Sequence, residues 1–156
     1  MAAALSEIRN FEQATDRIGC SGQPTASQFQ SIAQAGYRAV INLALADSHD
    51  AIAEEGSIVT GLGLSYHHIP VRFDAPADDD LRLFVGVMTA LRDRPVWVHC
   101  VVNARVSAFL FHYLTQVEGL SEERATTRLL RRWRPEMDDV WRQFLALDAA
   151  QVLASR

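Results

Sequence analysis

The sequence predicts an α/β fold in which a central, mainly parallel sheet of four to five strands is flanked by helices and followed by a helical C-terminus. Short apolar segments alternate with amphipathic segments, which is the order that encloses a parallel sheet between helices. The segment 39–45, AVINLAL, is apolar except for Asn42, as expected of a strand buried on both faces. No repeat, low-complexity stretch or linker interrupts the chain, so we expect a single domain over residues 1–156.

Three strands and two helices are predicted in the first half of the chain. The strands cover residues 17–23, 39–45 and 65–71. Between the first two strands, Thr25 is a candidate N-cap with Gln28 completing a capping box, and the helix that follows should end at Gly36. A weaker helix is predicted over residues 50–60.

The second half of the chain begins with an acidic loop at residues 73–80 and then becomes mostly helical. A helix should start near Asp79, where apolar residues recur at helical spacing, and a short apolar strand should follow at residues 95–99. The remaining predicted helices cover residues 104–117, 121–132 and 137–153.

All the basic residues of this chain are of one type. The 156 residues include 15 basic residues, every one of them Arg, and 19 acidic residues, for a net charge of −4. Without Lys, the chain cannot form a Lys Schiff base, a Walker-type phosphate loop or a Lys-dependent kinase site. The net negative charge argues against nucleic-acid binding, which needs a basic surface. Codon bias is the simplest explanation for the absence of Lys.

The cysteines predict neither a zinc site nor a disulfide framework. Cys20 and Cys100 are far apart in the sequence, and neither lies in a Cys-x-x-Cys pair. We therefore expect no metal and no other cofactor. No apolar run approaches the roughly 18 residues needed to span a bilayer, and residues 1–11 lack the basic start of a signal peptide. The sequence predicts a location in a reducing cytoplasm, with no membrane as partner.

The residues with the clearest chemistry lie where the strand at residues 95–99 ends. The strand finishes at His99, Cys100 occupies the turn, and a helix starts a few residues later. Backbone N–H groups of the turn and of the helix N-terminus then converge beside the sulfur, which creates an anion site and favours the thiolate. Arg105 can add a planar, two-pronged donor for a phosphate-like oxyanion. The backbone groups predicted to bind the anion belong to Val101, Val102, Asn103, Ala104, Arg105 and Val106.

The order strand, His99, Cys100, loop, Arg105, helix resembles the signature of cysteine-dependent protein tyrosine and dual-specificity phosphatases. The chain is more closely similar to a small bacterial phosphatase-like family related to the beta-lactamase hydrolase-like domain. Besides His99 and Cys100, the segments that carry this resemblance are Ser21–Pro24, Ala35–Tyr37, Val40–Leu43 and His68–Val71. The resemblance implies a cysteine phosphatase-like fold with its core at about residues 17–145.

The resemblance also implies a role for each residue of the site. Cys100 would attack phosphorus to form a phosphocysteine that water then hydrolyses, while Arg105 would bind the transferring phosphoryl group. His99 would support the loop, Ser107 would assist departure of the thiolate, and Asp74 would protonate the leaving oxygen. The implied substrates are phosphomonoesters, namely phosphotyrosine, phosphoserine or phosphothreonine of a phosphorylated protein, or small aryl phosphates.

The loop departs from the phosphatase pattern in two ways. Such phosphatases have five residues between Cys and Arg, whereas four separate Cys100 from Arg105 here. The glycine usual inside the loop is missing, although Asn103 tolerates a positive φ better than most residues. A spacing of four residues occurs in rhodanese-like sulfurtransferases, which carry a persulfide on the same Cys. A sulfurtransferase and a catalytically silent oxyanion-binding module are therefore alternatives to a phosphatase.

Other polar residues have simpler interpretations. The acidic residues 78–80 are the next candidates for the general acid, but we interpret them as charges at a helix start. We interpret His67 and His68 as structural residues, and Cys20 as a core residue rather than a resolving thiol. The arginines at positions 128, 131, 132 and 134 are predicted to form a solvated helix face, or alternatively to widen a positive field for anionic substrates.

Overall fold

A computed structural model describes residues 4–155 of the chain and contains a five-stranded sheet. The strands are β1 (Glu12–Gln13), β2 (Ile18–Ser21), β3 (Ala39–Asn42), β4 (Ser65–His68) and β5 (Val96–His99). Their order is β1-β2-β5-β3-β4, and all neighbours are parallel except β1 and β2. The predicted class, a mainly parallel sheet flanked by helices, is confirmed. The structure does not describe residues 1–3 and 156. The predictions of a single domain over residues 1–156 and of an N-terminal segment without a signal peptide therefore lie partly outside the described residues.

Helices cover both faces of the sheet and form the C-terminal part of the chain. They are α1 (Ala26–Gln34), α2 (Glu55–Gly61), α3 (Asp78–Ala90), α4 (Ala104–Gln116), α5 (Arg128–Trp133), α6 (Asp139–Ala146) and α7 (Ala149–Ala154). The predicted capping box of α1 is confirmed, since Thr25 and Gln28 each accept a hydrogen bond from the backbone N–H of the other. Across residues 4–155, every helix is too short or too polar to span a bilayer.

The sheet separates two apolar layers, because successive residues of a strand point to opposite faces. Ile41 and Val98 belong to the larger layer, which they form with α3, α4 and α6. Val40 and Trp97 belong to the second layer, which they form with α1 and α2. The central strands are completely buried, so the segment predicted to be buried on both faces is confirmed as such.

The strands are shorter than predicted, and β4 shows why. It ends at His68 rather than at Val71, the end of the predicted segment. The N–H groups of Ile69 and Val71 still donate to the carbonyls of Asn42 and Leu43, at 2.9 Å and 3.0 Å. Two residues on this segment then match one on the β3 side, which ends the regular parallel ladder. The antiparallel strand β1 was not predicted, because two residues are too few to show an alternating pattern.

Helix α2 begins at Glu55, so the prediction of a helix from residue 50 is wrong. Asp50 has a φ of +64°, which a right-handed helix does not accommodate. The late start has a consequence for the site, since Glu55 becomes a buried residue in the first turn of α2, with 4 % of its surface exposed.

The two long C-terminal helices predicted from the sequence are divided into shorter pieces. Residues 121–127 form turns, and α5 begins only after Thr127, whose hydroxyl accepts a hydrogen bond from the N–H of Leu130. The predicted helix over 137–153 is split into α6 and α7, because the side chain of Asp148 caps a new helix start. Helical periodicity continues across both breaks, and the capping side chains decide where each helix begins.

Candidate active site

Cys100 lies at the edge of the sheet where the parallel strands β2, β5 and β3 have their carboxyl ends. Its N–H donates to the carbonyl of Ser21 at 3.3 Å, and the carbonyl of His99 accepts from the N–H of Leu43 at 2.8 Å. Cys100 is a free cysteine with 1 % of its surface exposed. The three strands therefore hold the candidate nucleophile in the place where open α/β sheets bind ligands.

The loop at residues 101–106 leaves its backbone N–H groups without protein partners. Within residues 4–155, none of these N–H groups donates a hydrogen bond to a protein atom. The carbonyl groups of the loop are held instead, because Val101 O accepts from the N–H of Gln23 at 2.9 Å and Val102 O accepts from Nδ2 of Asn10 at 2.9 Å. Since N–H and C=O point in opposite directions in a trans peptide, the N–H that follows each held carbonyl points away from these contacts. The loop can thus present several donors to one anion.

Asn103 and Ser107 fix the turn between the loop and α4. Asn103 has a φ of +76°, the conformation usual for glycine, which Asn tolerates better than most residues. Its Nδ2 donates to Asn10 O at 2.9 Å and contacts the sulfur of Cys20 at 3.5 Å. The buried Ser107 hydroxyl donates to Asn103 O at 2.7 Å and accepts from the hydroxyl of Thr127 at 2.7 Å. These contacts brace the start of α4, whose positive dipole end faces the loop.

Arg105 is buried in the first turn of α4, with 6 % of its surface exposed. Its Nη1 donates to the carbonyl of Val71 at 2.8 Å, and its guanidinium carbon lies 5.9 Å from the ring centroid of Phe73. Among the described residues, Nε and Nη2 of Arg105 have no hydrogen-bond partner. Because a guanidinium has five N–H donors, Arg105 can hold the Val71–Phe73 segment and still bind an oxyanion.

His99 pairs with Glu55, a residue that sequence reasoning missed. His99 Nε2 lies 2.7 Å from Glu55 Oε2, and His99 Nδ1 lies 3.1 Å from the carbonyl of Cys100. Glu55 also accepts hydrogen bonds from Gln23 at 2.7 Å and from Tyr66 at 2.9 Å. Burial acts to raise the pKa of Glu55, but the hydrogen bonds and the positive charge of its partners lower that pKa below its usual value. The only sequence signal for Glu55 is its position at a helix start, which many surface glutamates share.

Asp74 lies on the loop that follows β4, and its carboxylate faces solvent. Its side chain is 73 % exposed and forms a two-pronged pair with Arg72, at 3.1 Å to Nε and 3.0 Å to Nη2. The loop itself is anchored, because the carbonyl of Phe73 accepts from Nε1 of Trp141 at 2.8 Å. Asp74, the general acid predicted from the sequence, therefore follows Phe73, which contacts Arg105. In this structure, however, the carboxylate of Asp74 is paired with Arg72.

The other acidic candidates belong to the start of α3. Asp80 accepts a hydrogen bond from the N–H of Ala77 at 3.0 Å, and Asp79 pairs with Arg82 one turn later. Asp80 thus caps a free N–H at the helix start, and both carboxylates place negative charge near the positive end of the helix dipole. This agrees with the interpretation of residues 78–80 as charges at a helix start.

Cys20 and the histidines on β4 have structural surroundings. Cys20 is completely buried in the larger apolar layer, and burial raises its pKa from 9.0 to about 12 despite the hydrogen bond from Asn103. His67 contacts the hydroxyl of Ser65, and His68 contacts a backbone carbonyl. The part of the chain that the structure describes holds no group of three or more His, Cys, Asp or Glu side chains placed to bind a metal.

A cavity of about 280 Å³ opens beside the loop. Its lining combines two loop residues with aromatic, aliphatic and charged side chains: Asn10, Phe73, Val102, Ala104, Leu129, Arg132, Trp133 and Glu136. The rings of Phe73 and Trp133 are stacked with centroids 6.0 Å apart, and Phe73 and Val102 are unusually exposed for apolar residues, at 44 % and 40 %. The cavity thus places an apolar, aromatic wall next to the anion site.

The sheet order, the cysteine after β5 and the loop that leads into α4 define a cysteine phosphatase fold. Solved structures with this fold include Tk-PTP in its active form, with a TM-score of 0.69 and 18 % identity over 92 % of this chain and 96 % of that one. The core catalytic domain of a PP-IP phosphatase from S. cerevisiae, in complex with citrate, has a TM-score of 0.71 and 14 % identity over 93 % of this chain and 89 % of that one. At these identities the likeness concerns the fold.

The chain belongs to a family described as a DSP-PTPase phosphatase fused to NAD+ kinase, whose profile matches residues 6–144. A DUF442 protein from Shewanella putrefaciens CN-32, provisionally assigned as a phosphatase, is 32 % identical, with a TM-score of 0.82 over 96 % of this chain and 95 % of that one. Beta-lactamase hydrolase-like proteins of two Xylella fastidiosa strains are 29 % identical over 105 residues, which is 65 % of this chain and 24 % of theirs. The chain spans about a quarter of the length of these curated relatives. The resemblance to a phosphatase-like family is therefore confirmed.

Proposed function

We propose that this chain is a cysteine-dependent phosphatase that hydrolyses phosphomonoesters through a phosphocysteine at Cys100. The observation that carries the proposal is the set of backbone N–H groups at residues 101–106 that have no partner within residues 4–155. They follow Cys100 directly and end at the N-terminus of α4, so one tetrahedral oxyanion can use several of them beside the sulfur. Membership in a phosphatase family and the fold of its structural neighbours support this assignment.

In the first step, the thiolate of Cys100 attacks phosphorus and the bond between phosphorus and the leaving oxygen breaks. The loop N–H groups and the two unpaired nitrogens of Arg105 bind the equatorial oxygens, where negative charge is spread in the transition state. The leaving oxygen takes a proton from a carboxylic acid, for which Asp74 is our candidate. Because Asp74 is paired with Arg72 in this structure, its carboxyl group must release Arg72 before it can turn toward the substrate.

In the second step, water attacks the phosphocysteine and the sulfur–phosphorus bond breaks. The carboxylate of Asp74 accepts the proton of the water, and inorganic phosphate and the Cys100 thiolate are released. Ser107 supports this cycle by holding the carbonyl of Asn103, which keeps the loop in the conformation that presents its N–H groups. A nucleophilic thiol has to stay reduced, so the proposal includes the predicted location in a reducing cytoplasm.

The cavity beside the loop favours a substrate with an aromatic leaving group. Phe73 and Trp133 form a stacked wall next to loop residues Val102 and Ala104, and a flat ring attached to the phosphate can pack against them. Among the predicted substrates, we therefore propose phosphotyrosine or a small aryl phosphate ahead of phosphoserine and phosphothreonine. The spacing of four residues between Cys100 and Arg105 keeps a persulfide carrier as the second candidate, while the family match and the fold of the structural neighbours favour the phosphatase.

Hydrolysis of a generic aryl phosphate in the presence of a metal chelator tests the proposal. The wild-type protein should release phosphate, and Cys100→Ser should reduce turnover to background while still binding phosphate, because only the nucleophile is changed. Trapping a rapidly quenched reaction should show phosphate on Cys100 by mass spectrometry. Turnover that survives Cys100→Ser, or that requires a divalent metal, contradicts the proposal. Formation of a persulfide on Cys100 from thiosulfate without phosphatase turnover would instead support a sulfurtransferase.

A further inference from the structure

A buried polar pair, His99 and Glu55, lies next to Cys100. The side chains of His99 and Glu55 are 0 % and 5 % exposed, with 2.7 Å between Nε2 and Oε2. The other ring nitrogen of His99, Nδ1, lies 3.1 Å from the carbonyl of Cys100. A backbone carbonyl can only accept a hydrogen bond, so Nδ1 must carry a proton. Whether Nε2 also carries one depends on the charge of Glu55.

The remaining partners of Glu55 are donors, as an ionised carboxylate requires. Gln23 donates to Oε1, and Tyr66 donates to Oε2. The Tyr66 oxygen in turn accepts from Nδ2 of Asn42 at 3.0 Å, so its own proton is available for the carboxylate. A protonated Glu55 would have one acceptor within reach, Nε2 of a neutral His99, but against the effect of burial the hydrogen bonds that Glu55 accepts and the charge of its partner lower the pKa of Glu55 below its usual value. Beside a Glu55 carboxylate, Nε2 of His99 faces an acceptor just as Nδ1 does, so both ring nitrogens are placed to donate.

Through these contacts Glu55 reaches both peptide groups that follow the nucleophile. The first route runs through His99, whose ring contacts Glu55 at one nitrogen and the carbonyl of Cys100 at the other. The second route runs through Gln23, whose side chain donates to Glu55 and whose backbone N–H donates to the carbonyl of Val101. In a trans peptide the N–H points opposite to the carbonyl, so these two contacts set the directions of the next two N–H groups. Those groups are the first two donors of the anion-binding loop.

We propose that Glu55 is a positioning residue for the reaction at Cys100, which acts by holding His99 as an imidazolium and Gln23 as a fixed donor. The ion pair is the support that aims the first N–H groups of the loop at the phosphoryl oxygens. This assignment rests on the proposed function of the loop, and Glu55 does not itself touch the substrate.

The charge state of His99 can be measured without any enzymatic assay. In the wild-type protein at neutral pH, nitrogen NMR of the His99 ring should show that both nitrogens are protonated. In Glu55→Gln, the new amide can donate to Nε2, so His99 should become a neutral ring that is protonated only on Nδ1. Tyr66→Phe removes a different partner of the carboxylate and is the matched control, in which His99 should remain an imidazolium. A neutral His99 in the wild-type protein overturns the proposal.

The effect on the loop is measured with inorganic phosphate and with an aryl phosphate. Because hydrogen bonds to charged groups are strong, we expect Glu55→Gln to weaken phosphate binding and to lower kcat by about tenfold or more, with a smaller change in KM. Unchanged phosphate affinity in a variant whose His99 has become neutral also overturns the proposal. If the wild-type protein binds phosphate but shows no turnover, the proposed function fails, while the NMR and binding measurements still decide the role of Glu55.

Discussion

At the scale of single residues, Asn103 shows how one side chain replaces the glycine of the phosphatase loop. A φ of +76° is costly for most residues, but Asn adopts this region comparatively easily, and its amide donates to Asn10 O. We expect Asn103→Ala to lower the free energy of unfolding by roughly 1–3 kcal/mol, because Ala keeps the strain and loses the hydrogen bond. Asn103→Gly relieves the strain and should cost less. Urea unfolding of both variants tests this order, and equal losses would contradict it.

The acid role of Asp74 is also a question about a single side chain. Asp74→Asn cannot donate a proton and should lower kcat by about a hundredfold for an alkyl or phenyl phosphate, whose leaving oxygen needs protonation. The loss should be much smaller for a nitrophenyl phosphate, whose leaving group departs as a stable anion. Asp79→Asn is the matched control, because Asp79 is also an exposed carboxylate of this acidic segment and pairs with Arg82. An equal decrease in kcat for both leaving groups would contradict the proposal that Asp74 is the general acid.

At the scale of elements, the end of β2 and the loop at residues 101–106 touch at Gly22. A Cβ atom at this position would lie 2.4 Å from the carbonyl oxygen of Val101, a contact that forces the loop to move. We expect Gly22→Ala to weaken phosphate binding and to lower kcat/KM by at least about tenfold, since sub-ångström changes in donor geometry are costly in such sites. Calorimetric titration with phosphate and steady-state kinetics measure the two effects.

Gly86→Ala provides the control for this experiment. Gly86 lies on the exposed side of α3, and a Cβ there would meet no atom within 4 Å. Replacing a helical Gly by Ala should raise the free energy of unfolding by about 0.5–1 kcal/mol without affecting phosphate binding. Wild-type phosphate affinity in Gly22→Ala would show that the loop is not held through this contact.

The elements also show what local sequence can predict. Thr25 and Gln28 form the predicted capping box, because this feature depends on neighbours only a few residues away. The start of α2 was not predicted, because it follows the positive φ of Asp50 and no side-chain cap marks it. The late start of α5 and the break between α6 and α7 were not predicted either. At those places the apolar periodicity continues, and single caps such as Thr127 and Asp148 decide the boundary.

At the scale of the whole molecule, the absence of Lys simplifies the response to alkaline pH. No Lys side chain titrates, so buried Cys20 should make a visible contribution to stability in this range. Its pKa is raised by burial from 9.0 to about 12, so its contribution to stability is present in full below pH 9.0 and is lost as the pH rises toward about 12. The half-buried Tyr66 also has a raised pKa, mainly through burial, and acts in the same direction.

Cys20→Ala isolates the contribution of the thiol. In the wild-type protein, Cys20 alone should make the free energy of unfolding fall by about 1.4 kcal/mol per pH unit above pH 9.0, because the unfolded chain releases the proton first. The Ala variant will be less stable at neutral pH through its cavity, but its alkaline slope should be flatter by this amount. Denaturant unfolding at several pH values measures both slopes, and parallel curves would show that Cys20 is not protected from ionisation.

Neighbouring residues along the chain were enough to establish the α/β class, the turn after β5 and the grouping of Cys100, Arg105 and the loop between them, because their pattern is local. The position of Glu55 in the candidate site depends on the tertiary structure and could not be predicted from its neighbours in the sequence. Glu55 lies on a different element from Gln23 and His99, and it meets them because β2 and β5 run side by side with their carboxyl ends at one edge while the first turn of α2 is buried there. A buried carboxylate is stable only when donors surround it, and such a set of donors comes together only in the folded chain.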